Sequence, residues 1–234
     1  MSLASGPSDS PRRYLPDLLT AAAETKNVLV IDGYGEPHGE RWQHTEVAAA
    51  RASGRKVEHI HDVKGFRPGL EPRFSDFERR LLAVFYNEDL RPEQTLVIAH
   101  SLAGVGWLSM LKKAPGLARC RAVLVGTPLR NRTGLDQIND FFPLPNLNLA
   151  ELTDRLVVVG STNDPVIHEW PEELAGKLGV HFCQIPNAGH FMPRALHGSS
   201  EQLDVGPEWA QARRAIPHGY LPYDLPSSRR PLAD

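Results

Sequence analysis

Between residues 95 and 113 an apolar run passes into a helix-compatible stretch with almost no intervening loop. Thr95-Leu96-Val97-Ile98-Ala99 reads as a buried strand, His100-Ser101 as the turn, and Leu102 onward as the helix. A strand that turns into a helix at one serine brings the two backbones close together, so the residues two places either side must be small. They are Ala99 and Ala103, with a glycine displaced to Gly104. Strand and helix then form adjacent layers, and the chain has to return to the sheet for its next strand. A plain serine N-cap after a buried strand is the simpler reading of the same residues.

The rest of the chain repeats this alternation. Near-continuous apolar runs at residues 27–32, 95–99, 121–126 and 155–160 read as strands covered on both faces. Residues 56–63 and 180–185 are two further strand candidates. Helical spacing of apolar residues marks 41–51, 73–86 and 171–178, the second with Phe77, Leu81, Leu82 and Phe85 on one face. The expected fold is α/β: a doubly wound, mostly parallel sheet of about six strands with right-handed crossovers. Residues 1–26 read as an N-terminal extension with a short helical stretch at 15–24, 27–215 as a single domain, and 216–234 as a Pro-rich tail. A last helix is expected at 208–214, and 127–151 is a long irregular segment.

Composition narrows the function classes. Lys plus Arg is 26 and Asp plus Glu is 28, a formal charge of −2 that leaves no electrostatic footprint for nucleic acid. No apolar run approaches the roughly 20 residues needed to cross a bilayer, and the first 16 residues carry no apolar signal region. Cys120 and Cys183 lack metal-ligand spacing and read as reduced thiols of a cytoplasmic protein.

A serine hydroxyl needs a neighbouring base, and the base needs an acid to orient it. Asp164 lies just past the fifth strand, in Gly160-Ser161-Thr162-Asn163-Asp164-Pro165. His190 lies just past the sixth, in Ala188-Gly189-His190-Phe191. With Ser101, both fall at the carboxyl edge of a parallel sheet, where open α/β folds bind ligands. Asp136 and Asp140 are the alternative acids, while Asp32 sits on the first strand. His100 should point away from the hydroxyl. His59 and His61 have same-face spacing but lack a third ligand, so no metal is expected. An oxyanion hole calls for the N–H of Leu102 and one from Gly33-Tyr34-Gly35, with Tyr34 the leading candidate. Trp42, Phe141 and Phe142, with Tyr34, Gly33 and Gly35, are the candidate substrate pocket.

Taken together, Asp32-Gly33-Tyr34-Gly35 with Trp42, Ala99-His100-Ser101-Leu102-Ala103-Gly104, Ser161-Thr162-Asn163-Asp164-Pro165 and Gly189-His190-Phe191 resemble one group of proteins. These are the small serine hydrolases of the retinoblastoma-binding protein nine family, within the α/β-hydrolase superfamily. The resemblance spans residues 27–195. It implies a compact α/β-hydrolase domain without a large lid, a triad of Ser101, His190 and Asp164, and no cofactor. It also implies action on small ester, amide or thioester substrates through an acyl-enzyme. The chain departs from the family in having Arg41 before Trp42, where a histidine is common, and alanines at both outer elbow positions. The rival reading is a protein-interaction module with a vestigial hydrolase site, its partner recognising the C-terminal tail. A cofactor-free haloperoxidase or an acyltransferase on the same triad is a third.

Overall fold

A computed structural model of the chain describes residues 25–34, 42–61, 71–131, 135–147, 155–167, 171–191 and 214. All but the last two residues of the extension at 1–26, nearly all of the helix expected at 208–214 and the tail at 216–234 lie outside these residues, as does Gly35. Six strands form one sheet: β1 (Asn27–Ile31), β2 (Lys56–Ile60), β3 (Thr95–His100), β4 (Arg121–Val125), β5 (Leu156–Ser161) and β6 (His181–Ile185). Among the described residues, four longer helices accompany them: α1 (Trp42–Ala52), α2 (Phe74–Asn87), α3 (Leu102–Lys113) and α4 (Pro171–Leu178). The strand order is β2-β1-β3-β4-β5-β6, and every pairing is parallel. Val28 pairs with Val57 on one side and Leu96 on the other, so β1 is central although it comes first.

Burial explains the apolar runs. All residues of β1, β3, β4 and β5 are buried, because helices and loops cover both faces. Alternate residues feed different cores. Leu29 and Ile31 join a cluster with α2 and α3, whereas Val28 and Val30 join Trp42, Val47 and Ala50 of α1 on the other face. Edge strand β6 is more open, with His181, Phe182 and Gln184 exposed and only Cys183 and Ile185 buried. Its pattern is that of a strand with one packed face.

This order creates the site. The chain leaves β1 toward β2 on one side and later toward β3 on the other. The crevice at the carboxyl ends of β1 and β3 is the topological switch point, where such sheets take their ligands. The segment after β1 and the turn after β3 both open there.

The long segment after β4 has local structure of its own. Residues Asp136–Phe141 form a 3₁₀ turn, and the Phe142–Pro143 peptide is cis. Asp140 accepts a hydrogen bond from the N–H of Phe74 at 2.6 Å, which caps the start of α2. No helix among the described residues is long and apolar enough to cross a membrane.

Candidate active site

Ser101 occupies the turn between β3 and α3 with φ 52° and ψ −123°. A non-glycine residue there carries backbone strain of about 1–3 kcal/mol, which the surrounding structure must hold in place. Two features hold it: the Ser101 N–H donates to the Val125 carbonyl at 2.8 Å, and the Gly104 N–H donates to the Ser101 carbonyl at 3.0 Å. Ala99 and Ala103 are fully buried, so their methyl groups fit the bend. The glycine is required one residue further on. A Cβ at Gly104 would stand 2.0 Å from Thr127 Oγ1, because the first turn of α3 presses on the chain leaving β4.

The structure brings Ser101, His190 and Asp164 into one hydrogen-bonded line. His190 Nε2 lies 2.9 Å from Ser101 Oγ, and His190 Nδ1 lies 2.7 Å from Asp164 Oδ2. The His190 and Asp164 side chains are only 6% and 5% exposed, so water competes weakly for these bonds. A carboxylate can only accept, which assigns the imidazole proton to Nδ1. Nε2 is left with its lone pair facing the serine hydroxyl. The other carboxylate oxygen, Asp164 Oδ1, accepts from the N–H groups of Val166 and Ile167 at 2.8 and 2.9 Å. Those two bonds fix the carboxyl plane and direct Oδ2 at the ring.

The loops after β5 and β6 are clipped together. Asn163 Oδ1 accepts from the Gly189 N–H at 2.8 Å, and Thr162 Oγ1 accepts from the Asn187 N–H at 3.0 Å. The Thr162 N–H donates to the Ile185 carbonyl at 3.1 Å. Ser161 Oγ, in turn, donates to Asn163 Oδ1 at 2.8 Å. The Ser161-Thr162-Asn163 triplet therefore sets the distance between the acid loop and the histidine loop. In the sequence this triplet counts only as part of the family resemblance and has no role. Side-chain oxygens in a row before an acid were the available signal.

Leu102 opens α3, so its N–H lies in the first helical turn, where no intrahelical carbonyl reaches it. The positive end of the helix dipole also lies there. Gly33 is buried and Tyr34 half-buried directly after β1. Tyr34 packs on the α2/α3 core, and its hydroxyl accepts from Gln137 Nε2 at 3.5 Å.

The structure does not assemble the expected aromatic pocket. Phe141 is buried against Phe74 and Phe77, with ring centroids 5.6 and 5.9 Å away. Trp42 is buried in the core on the opposite face of the sheet. Both aromatics are used up in packing on separate sides, and only Tyr34 and half-buried Phe142 remain on the α2/α3 side. A cavity of about 10 Å³ lies behind Asp164, lined by Gly126, Thr127, Ser161 and Leu174. It is water-sized and too small for an ester.

The alternative acids are accounted for elsewhere. Asp140 caps α2, and Asp136 is exposed and accepts from Asn139 Nδ2 at 3.4 Å. Asp32 pairs with His59, Oδ1 to Nε2, at 2.8 Å. The rings of His44 and His61 stand 5.5 and 5.1 Å from that of His59. No group of three or more His, Cys, Asp or Glu residues suited to a metal ion occurs among the described residues. Cys120 and Cys183 are buried thiols; burial pushes the Cys183 thiol up to about 11 and that of Cys120 further.

The strand order, the strained serine turn and the two loops define an α/β-hydrolase fold. The family model described as serine hydrolase matches residues 28–205, and the chain belongs to that family. Solved structures share the fold. The ydeN gene product of Bacillus subtilis is 23% identical with a TM-score of 0.56, covering 72% of this chain and 89% of its own. A candidate YdeN-like hydrolase from Pectobacterium atrosepticum is 16% identical with a TM-score of 0.54, covering 90% of this chain and 99% of its own. A candidate non-heme bromoperoxidase from Mycobacterium tuberculosis is 18% identical with a TM-score of 0.52, covering 72% and 86%. No curated protein sequence matches the chain significantly. Family membership makes the chain a hydrolase.

Proposed function

We propose that the chain hydrolyses small esters, and by the same chemistry related amides or thioesters, through an acyl-enzyme on Ser101. The reading is carried by one observation: a serine on strained backbone whose hydroxyl faces an imidazole nitrogen at 2.9 Å, with a carboxylate on the other nitrogen. As Ser101 Oγ bonds to the ester carbonyl carbon, its proton passes to His190 Nε2 and the carbonyl π electrons move to oxygen. Asp164 holds the ring in the Nδ1–H tautomer and stabilises the imidazolium that forms. The Leu102 N–H, with one from the Gly33–Tyr34 segment, stabilises the oxyanion. When the intermediate collapses, the C–O bond to the alcohol breaks and His190 returns the proton to the leaving oxygen. Water then attacks the acyl-enzyme with His190 again as base, releasing the acid and restoring Ser101. Every proton in this cycle is carried by the triad, and no step calls on a metal or an organic cofactor. The buried thiols suit a reducing compartment, and a cytoplasmic location belongs to the same proposal.

Turnover of p-nitrophenyl acetate by the purified protein, lost in Ser101→Ala, is the expected result. Folded protein that hydrolyses no activated ester, or Ser101→Ala that retains the rate, would overturn the reading. Product analysis with competing alcohol acceptors separates hydrolysis from acyl transfer.

A further inference from the structure

Beneath the triad lies a second imidazole that the reaction above does not use. His100, the last residue of β3, is 1% exposed. Its Nε2 lies 2.9 Å from the backbone carbonyl oxygen of His190, 90 residues away in the chain. A carbonyl only accepts, so His100 Nε2 carries the proton. In the neutral ring Nδ1 is then an acceptor, and it faces Gln43 Nε2 of α1 at 3.5 Å. Gln43 is also 1% exposed. The edge of Trp42 meets the same ring, with centroids 5.7 Å apart. The chain thus runs from a helix-borne amide, through a buried histidine, to the main chain of the residue that faces Ser101.

That main chain needs holding. Asn187, Gly189 and Phe191 have φ values of 55°, 57° and 55°, so the backbone around His190 is left-handed at alternate residues. The asparagine and threonine clips hold the loop at residues 187 and 189, on the side of Asp164. At residue 190 itself the carbonyl is held by His100. Gly126, with φ 55°, lies beside both rings: a Cβ there would stand 3.4 Å from His190 Cε1 and 3.7 Å from His100 Nε2, ordinary contact distances. The two imidazole centroids are 5.0 Å apart.

We infer that His100 is a positioning residue: oriented by Gln43, it anchors the His190 carbonyl and so sets the imidazole at attacking distance from the Ser101 hydroxyl. The inference rests on the proposed hydrolase reading. Its physical basis is that general-base transfer falls steeply with small displacements, whereas binding of the ester does not pass through His100. The expected signature is a loss in kcat with little change in KM.

Two polar substitutions test it. In His100→Gln the side-chain amide nitrogen can occupy the place of Nε2 and donate to the same carbonyl. In His100→Asn the amide is one carbon too short. With p-nitrophenyl acetate, His100→Asn should lose ~10-fold or more in kcat with KM within about twofold, and His100→Gln should recover most of that loss. Circular dichroism and thermal midpoints of both variants show that each is folded, and Ser101→Ala is the control. Equal rates for the two folded variants, whether both impaired or both intact, overturn the positioning role while leaving the triad standing. A wild-type rate unaffected by Ser101→Ala overturns the hydrolase reading, and the positioning role falls with it. If His100→Asn does not fold, Gln43→Leu takes its place. A kcat loss at constant KM then supports the role, and an unchanged kcat overturns it.

Discussion

Two largely buried histidine–aspartate pairs sit at the carboxyl edge of this sheet, on opposite sides of Ser101. His190–Asp164 comes from the loops after β6 and β5, at 2.7 Å; His59–Asp32 comes from β2 and the end of β1, at 2.8 Å. In separation they are near equivalents. They differ in which nitrogen meets the carboxylate and in what faces the other one. His190 gives Nδ1 to the acid and keeps Nε2 for a hydroxyl at 2.9 Å. His59 gives Nε2 to the acid, and its ring packs against His44 and His61. A histidine with a carboxylate is therefore not yet a base with a task. The strained serine turn and the loop clip make one pair a candidate relay and leave the other structural.

That contrast sets the expected effects of substitution. Ser101→Ala and His190→Ala should each abolish ester turnover, a loss of at least ~10³-fold in kcat, and the double variant should lose little more because the residues act as a unit. Steady-state kinetics on one activated ester measure all three. Asp164→Asn should cost ~10²- to 10⁴-fold, since an amide can present its NH₂ to the ring and favour the wrong tautomer. A loss as small as that from Asp32→Asn would erase the distinction between the pairs. Asn163→Ala removes the acceptor for the Gly189 N–H and should lower kcat by ~10-fold, with less effect on KM. Asp32→Asn should leave kcat and KM within about twofold while costing about 1–3 kcal/mol in urea unfolding, because a buried imidazole loses its charged acceptor. The smallest effect on turnover concerns the thiols. With Cys183 pushed up to about 11, the folded protein holds that proton where the unfolded chain has lost it. Stability should therefore fall as pH rises from about 9 to about 11, and the Cys120 thiol, raised further, adds to the fall. At pH 8 the native protein should react slowly with a thiol reagent, and the urea-unfolded chain should react at both cysteines.

The sheet was legible because burial on both faces writes itself as unbroken apolar runs. Strands β1, β3, β4 and β5 fall within a residue of the expected limits. The order of Ser101, Asp164 and His190, each just past a strand end, was legible too, since parallel strands deliver consecutive loops to one edge. The pocket was not. Trp42 and Phe141 have pocket-like composition, but nothing local to either says which side of the sheet it will pack on, and they pack on opposite sides. His100 was expected to point away from the hydroxyl. The carbonyl it meets lies 90 residues on, a distance over which residue spacing carries no signal. Gly104 looked like a displaced elbow glycine, whereas its reason is Thr127, on the chain leaving the neighbouring strand.

The most direct test is covalent. A fluorophosphonate probe, followed by peptide mass spectrometry, reports which hydroxyl is activated and by which histidine. The adduct should appear on Ser101 in the wild-type protein and in His59→Ala, and disappear in His190→Ala. A folded wild-type protein without an adduct on Ser101, or equal labelling after loss of the His190 ring, would contradict the account.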